Sequence, residues 1–505
     1  MVKVRRKTFE VLLYLVRNPR RLISRQELLN GVWAGSKVSS SLLRAYIWEL
    51  RRVLGESAAK PRYLETLSRR GYRFMQQVRA EAQVVSDADG DGNPWHPSYS
   101  IIATPHAQAP IAPQPLNIAS VKSRTSALMV GILHSLTGTM AYSESPVVDA
   151  TLLAIDEVNR RGGLLGRRVE AIVADGRSDG ATFARKAECL LVEDKVSALF
   201  GCWMSAHRKQ VVPIVEHYDG LMVYPVQYEG LESSPNVFYT GAAPNQQIIP
   251  AMRWAFGFLN CRRLFLVGSD YIFPRIANQI VRDQATRNGA EIVGELYIPS
   301  GSLEVKDPVT AIVAAAPDLI VNTINGDSNI AFFRSLRTAG MTPGILPTLS
   351  FSVGENELRN LDIGGDYAAW NYFQSIDRRE NQIFLDSFRS RYGPQRVTSD
   401  PMEAAYVGVN LWAQAVTEAG SSNPADIRAA LRHQSFNAPE GLVHIDPDNQ
   451  HTWKTIRVGK VLEDGQFEVI YSSEKSIRPE PYPDTRSLRD WNLFVDSLSS
   501  ARVVS

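Results

Sequence analysis

From residue 126 onward the chain alternates apolar, strand-length runs with amphipathic helical stretches, and that rhythm leaves few folds open. Strand, helix and strand in repetition build a parallel sheet with helices on its faces. The strand runs read as residues 128–134, 169–174, 198–201, 263–268, 291–297, 319–323 and 346–350. They fall into two sets, so the expected fold class is α/β, with two lobes facing across a cleft. A helix over 146–161 opens on Pro146 and stops at Gly162-Gly163. Further helices are expected from Thr182 and through 211–218.

The first 79 residues obey a different rule. They carry 18 Lys+Arg against five Glu and no Asp, a charge of about +13, while the whole chain is +2. The remainder is therefore about −11, and the two parts differ in their attraction to phosphate. Phe9, Leu12, Leu13 and Val16 give a helix over 6–17 an apolar face, and Asn18-Pro19 ends it. Ser24 and Glu27 form a capping box for a second helix with Leu28, Leu29, Val32 and Trp33 inward. A third helix starts at Ser40-Ser41 and buries Leu43, Ile47, Leu50 and Leu54. Its opposite face shows Arg44, Tyr46, Trp48, Arg51 and Arg52, a pattern suited to guanine edges and phosphates in a major groove. Two strands, 63–67 and 71–74, flank a basic tip containing Arg69 and Arg70, placed for a backbone or minor-groove contact.

A chain of 505 residues exceeds one hydrophobic core. The partition expected is a small α+β head at 1–79, a Pro/Ala/Asp/Gly-rich linker at 80–125, the two-lobed part at 126–492 and a tail at 493–505. No run approaches the ~20 apolar residues that span a bilayer. The start, MVKVRRKTFEVLLYLV, has a basic and then an apolar stretch. Glu10 interrupts it and NPRRL stands where a cleavage site would be, so no leader is expected. Cys189, Cys202 and Cys261 are too few and too spread for a disulfide framework and fit a reducing cytoplasm.

Chemistry in the larger part gathers at the carboxyl ends of the strand runs, where open α/β sheets bind ligands. These ends carry Ser135 and Thr137, then Cys202-Trp203-Met204-Ser205, then Tyr224 to Glu229 with Gln227 among them. In the second set they carry Tyr271, Phe273 and Asn325-Gly326-Asp327-Ser328. Hydroxyls, amides and a carboxylate among aromatic walls suit a small, neutral, polar ligand. No Arg/Lys cluster stands there for a phosphorylated one.

Two resemblances sharpen this reading. The string SRQELLNGVW…LRAYIWELRRVLG…PRYLETLSRRGYRF resembles the winged-helix output domain of OmpR-type response regulators over roughly residues 3–76. It implies a recognition helix at 40–54 and a wing at 68–71. That family places a small sheet before its first helix, whereas this chain begins almost at the helix. GCWMSAHRKQVVPIVE, YPVQYEGLESSPNVFYTGAAPNQQIIPA, GSDYIFPR and NTINGDSNIAFF resemble the urea-binding proteins of ABC transporters and the amide-sensing regulator of the amidase operon. IRPEPY and LRDW belong to the same pattern. This second resemblance implies a periplasmic-binding-protein-like fold of type I. It also implies a site built on Ser205, Trp203, Tyr224, Tyr271 and Phe273, with Trp203, Val226, Gln227 and Phe273 of the urea type. Urea offers four N–H donors and one carbonyl, so Ser205 and Tyr224 suit it, with Gln227 or Asp327 as acceptors.

Other motifs fall away. Asp87–Gly92 imitates the start of a calcium loop, but position twelve is Ser98 rather than a bidentate Glu. Ser205 lies near His207 without a nucleophile elbow or a third partner. No nucleotide fingerprint is present and the eight histidines are scattered, so no cofactor, metal or enzymatic activity is expected. The expected protein is a cytoplasmic, ligand-responsive transcriptional regulator, a homo-oligomer that binds DNA and urea or a short-chain amide. Two other readings stay open: a solute receptor serving a transporter, and an amide sensor acting through a protein partner.

Overall fold

A computed structural model describes residues 6–16, 18, 21–32, 43, 47, 50, 51, 54, 56, 61–67, 71–75, 127–358 and 361–501. The chain divides into two compact units, Met1–Val121 and Lys122–Ser505. The linker expected at 80–125 lies wholly outside the described residues.

In the first unit, helices Arg6–Val16 and Arg25–Val32 accompany a three-stranded antiparallel sheet in the order β1-β3-β2. The strands are β1 (Leu22–Ile23), β2 (Leu64–Leu67) and β3 (Gly71–Phe74). The sequence reading missed β1, because two residues carry no periodicity. Thr8, Val11, Leu12 and Leu15 are the buried face of the first helix, while Leu13 and Val16 are half-buried. Of the expected face, Leu12 is buried, Leu13 and Val16 are half-buried, and the Phe9 side chain lies outside the described residues. A small hydroxyl at position 8 completes the i, i+3, i+4, i+7 spacing that hydrophobicity alone does not reveal. Leu43, Ile47 and Leu50 are helical and buried as expected, and the Glu27 backbone N–H donates to the Ser24 hydroxyl at 3.1 Å.

The second unit holds two lobes with one repeated topology. The first sheet is parallel, in the order β5-β4-β6-β7-β8. Its strands are β4 (Leu128–His134), β5 (Val169–Asp175), β6 (Leu199–Gly201), β7 (Met222–Tyr224) and β8 (Val237–Tyr239). The second sheet runs β10-β9-β11-β12-β13-β16-β17. It comprises β9 (Arg263–Ser269), β10 (Glu291–Ile298), β11 (Leu319–Thr323), β12 (Thr348–Ser350) and β13 (Tyr367–Trp370), all parallel. Antiparallel β16 (Arg457–Val461) and β17 (Phe467–Ser472) extend it, and β14 (Ser435–Ala438) pairs with β15 (Gly441–His444) as a hairpin. In each lobe the chain's first strand lies between its second and third. Strand order reverses there, and the crevice at such a switch point is where ligands settle.

The chain crosses between lobes three times: after β8, after β13 and before β16. Helices Arg379–Tyr392 and Asp400–Ala419 return to the first lobe, where the hydroxyls of Tyr392 and Tyr406 donate to Asp149 O and Glu157 Oε2 at 2.8 and 2.7 Å. The helix after β4 spans Ala141–Arg160, starting five residues ahead of Pro146, so Glu144 enters its first turn, where the helix dipole favours an acid. The helix after β6 spans Ser205–His217 and takes in most of the stretch 211–218 expected to be helical. A last helix, Leu488–Ala501, occupies much of the stretch expected as a tail, with Trp491 buried against the core.

Gly201 makes the junction of β6 and the site possible. A Cβ there would stand 2.1 Å from the Leu133 carbonyl oxygen, and its φ of +157° disfavours any side chain. Cys202 follows in left-handed backbone with φ +66°, its N–H held by the same carbonyl at 2.9 Å. Gly201→Ala is therefore expected to destabilise the protein by about 2 kcal/mol or more, read as a lower denaturant midpoint at unchanged slope.

Candidate ligand-binding site

The two switch points face one another. Side chains beyond β4, β6 and β7 meet side chains beyond β9, β11 and β12. The Trp203 indole N–H donates to Asn325 Oδ1 at 3.3 Å, and Gln227 Nε2 donates to Phe351 O at 3.0 Å. At one edge Ser143 Oγ donates to Glu357 Oε1 at 3.0 Å and the Tyr142 hydroxyl donates to Asn356 O at 2.5 Å. Each bond joins one lobe to the other, so this is a closed arrangement.

Beneath the cleft lies a buried ionic group. Arg208, one turn into the helix Ser205–His217, is fully buried. It pairs with Glu229 at 3.2 Å and Glu232 at 2.9 Å, and its guanidinium sits 4.7 Å from the ring centres of both Tyr224 and Tyr228. Burial pushes the Glu232 carboxyl up, but Arg208 and Lys209 outweigh it and hold that group at about 2. The Tyr239 hydroxyl donates to Glu232 at 2.8 Å, and Tyr239 stacks on His451 at 4.1 Å. Burial brings His451 down to about 4, so it is neutral at pH 7.

This group decides what the site can still offer. The Ser205 hydroxyl donates to Glu229 Oε2 at 2.5 Å and accepts from Arg208 Nη1 at 3.0 Å. Its only proton is spent, and what remains is a lone pair. The Tyr224 hydroxyl donates to the Trp203 carbonyl at 2.6 Å and likewise keeps acceptor capacity. Gln227 spends its amide on Phe351, while its Oε1 is buried with no partner. Tyr271, at the start of the helix Ile272–Arg287, is buried, and among the described residues its hydroxyl has no hydrogen-bond partner. Burial, then Tyr224 and Glu229, push its phenol well above the ordinary tyrosine range, so it keeps its proton. The Phe273 ring is buried 6.3 Å from that of Tyr271.

The other expected residues are placed less centrally. Ser135 is buried and accepts from the Ser178 N–H at 3.0 Å. Thr137 is exposed, its hydroxyl spent on Asp175 at 2.7 Å. Asp327 is half-buried with Oδ1 unpartnered. Arg208 escaped the sequence reading, which placed Glu229 and Asn325 among the strand-end residues without giving either a role. All three stand in the motif strings, and the i, i+3 spacing of Ser205 and Arg208 was the available signal.

Of the residues expected to contact DNA, Arg51 alone is described. Its Nη2 donates to Leu64 O at 3.0 Å and Thr66 Oγ1 at 2.7 Å, bracing its helix against β2. Ser40, Ser41, Arg44, Tyr46, Trp48, Arg52, Arg69 and Arg70 lie outside the described residues. Among the described residues no cluster of His, Cys, Asp or Glu has the make-up of a metal site, and no helix is long and apolar enough to cross a membrane.

Removing Arg208 leaves the buried Glu229 and the partly buried Glu232 with only the more distant Lys209, 3.9 and 3.4 Å away. Arg208→Met is expected to destabilise the protein by about 3–5 kcal/mol in denaturant unfolding, far more than loss of an exposed ion pair.

Residues 128–488 match the periplasmic binding protein domain, and residues 1–74 match the transcriptional regulatory protein C-terminal domain. A limonene hydroxylase of Geobacillus stearothermophilus is 33% identical over 117 residues, 23% of this chain, and the chain spans about a fifth (21%) of that relative. The Leu/Ile/Val-binding protein homolog 6 of Brucella melitensis is 24% identical over 316 residues, 59% of this chain and 79% of that one. A solute-binding protein from R. palustris in complex with 4-hydroxybenzoate shares the fold, with a TM-score of 0.63 at 20% identity over 70% of this chain and 98% of its own. The match at 128–488 takes in well over half of the sequence: this chain belongs to the periplasmic binding protein domain family, and joins that domain to one of the transcriptional-regulator type.

Proposed function

We propose that the protein is a cytoplasmic, ligand-responsive transcriptional regulator that binds urea or a short-chain amide between its lobes and DNA through its N-terminal winged helix. One observation carries the ligand class. The hydroxyl protons of Ser205 and Tyr224 are spent within the protein, so these two side chains face a ligand as acceptors, while the Trp203 indole N–H is taken by Asn325 and leaves only its ring surface. The Tyr271 hydroxyl is the donor in reserve. Such a site complements a molecule rich in N–H with a single carbonyl. It fits the carboxylate of a benzoate or an amino acid poorly, because Arg208, the cation nearest to hand, is already paired with two carboxylates.

The regulator reading rests on the +13 head and its matched domain. Ligand binding shifts DNA affinity only by the ligand's differential affinity for the two states. The sequence reads as a Pro-rich linker of about 45 residues between the two matched domains, so the shift is placed in homo-oligomer geometry.

Calorimetric titration of the full chain with urea, acetamide, formamide, leucine and 4-hydroxybenzoate tests the ligand class. Heat is expected for urea or the amides; binding of leucine or the benzoate alone overturns the assignment. Tyr271→Phe removes a donor that no protein group uses, so it is expected to weaken the favoured ligand about tenfold while leaving the ligand-free melting midpoint in place. DNA affinity, followed by fluorescence anisotropy, is expected to fall steeply with salt, by a log–log slope of about −0.9 per phosphate contact. A flat salt dependence, with no change in oligomeric state on adding ligand, favours the reading in which the sensor acts through a protein partner.

A further inference from the structure

A second cavity, of about 680 Å³, opens where the lobes meet. Ser205, Tyr224 and Tyr271 of the cleft do not line it. Its walls come from both lobes. Arg389 stands on the helix Arg379–Tyr392, which packs on the first lobe, while Leu358, Leu361 and Gln466 belong to the second.

Gln374, beyond the end of β13, organises the polar wall. It is buried, and its Oε1 accepts from the Thr398 backbone N–H at 3.3 Å and from Arg389 Nη2 at 3.5 Å. The backbone donor fixes which end of this amide is which, so Nε2 faces Gln466 and donates to its Oε1 at 2.6 Å. Gln466 is thereby turned with its own NH2 away from Gln374, and that NH2 has no partner among the described residues. Arg389 is half-buried, and among the described residues no acid pairs with it. Its bonds, to Gln374 and at 3.4 Å to the Arg396 carbonyl, are long and leave Nη1 unused. Arg396 lines the same cavity but is paired with Asp149 at 2.7 Å. An arginine keeps its charge, so one without an acid, beside an unspent amide donor, makes a place for a carboxylate.

The acids of the cavity do not cancel that charge. Glu355 accepts from the Gln374 backbone N–H at 2.7 Å, and burial pushes its carboxyl up to about 8, so it is mostly protonated at pH 7. Glu463 and Asp464 are exposed at the rim, where water and salt screen them.

We propose that this cavity is a second ligand site of the two-lobed unit and takes a small carboxylate with an apolar body. The carboxylate meets Arg389 Nη1 and the Gln466 amide, and the body rests on Leu358, Leu361 and Val397. A molecule held this way ties the two lobes at a point that the cleft ligand does not touch.

Saturation-transfer NMR on the full chain, with isovalerate and isoamyl alcohol as probes, tests this. The two share a branched body and differ in the carboxylate. Isovalerate is expected to bind with a dissociation constant of about 1 mM, and the alcohol about tenfold or more weakly. Arg389→Gln removes the cation. Gln466→Glu keeps an acceptor for Gln374 Nε2 and sets a negative oxygen where the NH2 stood. Each substitution is expected to weaken isovalerate about tenfold or more and to move the melting midpoint by less than about 2 °C. Should Arg389→Gln fail to fold, Gln466→Glu decides alone. Equal binding of acid and alcohol overturns the proposal, as does the absence of an isovalerate signal. Isovalerate binding that survives in either folded variant places the acid elsewhere, the cleft included, and overturns it too. Urea and amide affinities are expected to be unchanged in both variants, so failure here leaves the reading of the cleft standing.

Discussion

The cleft depends on one buried cation. Arg208 is enclosed by two carboxylates and two aromatic faces, where an unpaired charge would be intolerable. Its pairing demands fix Glu229 and Glu232, and Glu229 with Arg208 then fixes the Ser205 hydroxyl. A serine free in solution both donates and accepts. This one has had its donor taken by the scaffold and keeps only a lone pair. The guanidinium is fully occupied, so the lobe holds positive charge near its site without offering it to an anion.

The strand rhythm was legible because parallel strands covered on both faces read as unbroken apolar runs, and β4, β9 and β11 are buried along nearly their whole length. The element starts were less legible. Pro146 looks like an N-terminal residue of a helix, yet the helix already runs from Ala141 because the preceding residues carry no breaker. In the first helix, Thr8 is buried where a hydrophobicity reading expects Phe9 to lead the face. Position 8 completes a stripe that only packing against β3 defines.

The candidate site divides in the same way. Trp203, Ser205, Tyr224, Tyr271 and Phe273 stand at strand ends, where topology alone points to function, and all are buried at the cleft. Glu229 lies 24 residues from Ser205, and no local spacing announces the pair. Thr137 shows the converse error. A hydroxyl just beyond β4 reads as a ligand, but Asp175 at the end of β5 reaches it first.

Closure itself has a small energetic scale. Among the bonds that join the lobes are those from Trp203 to Asn325, Gln227 to Phe351, Ser143 to Glu357 and Tyr142 to Asn356. Each contributes about 1 kcal/mol net, since in an open cleft the same groups bond to water. Ordering two lobes about three crossings opposes that gain with terms of similar size. A gap of a few kcal/mol between open and closed forms would lie within reach of a ligand whose handful of hydrogen bonds forms only on closure. A ligand as small as urea has no apolar surface with which to drive the change. On the proposed reading it does so only by meeting acceptors that the closed protein leaves without donors, such as the remaining lone pairs of Ser205 and Tyr224.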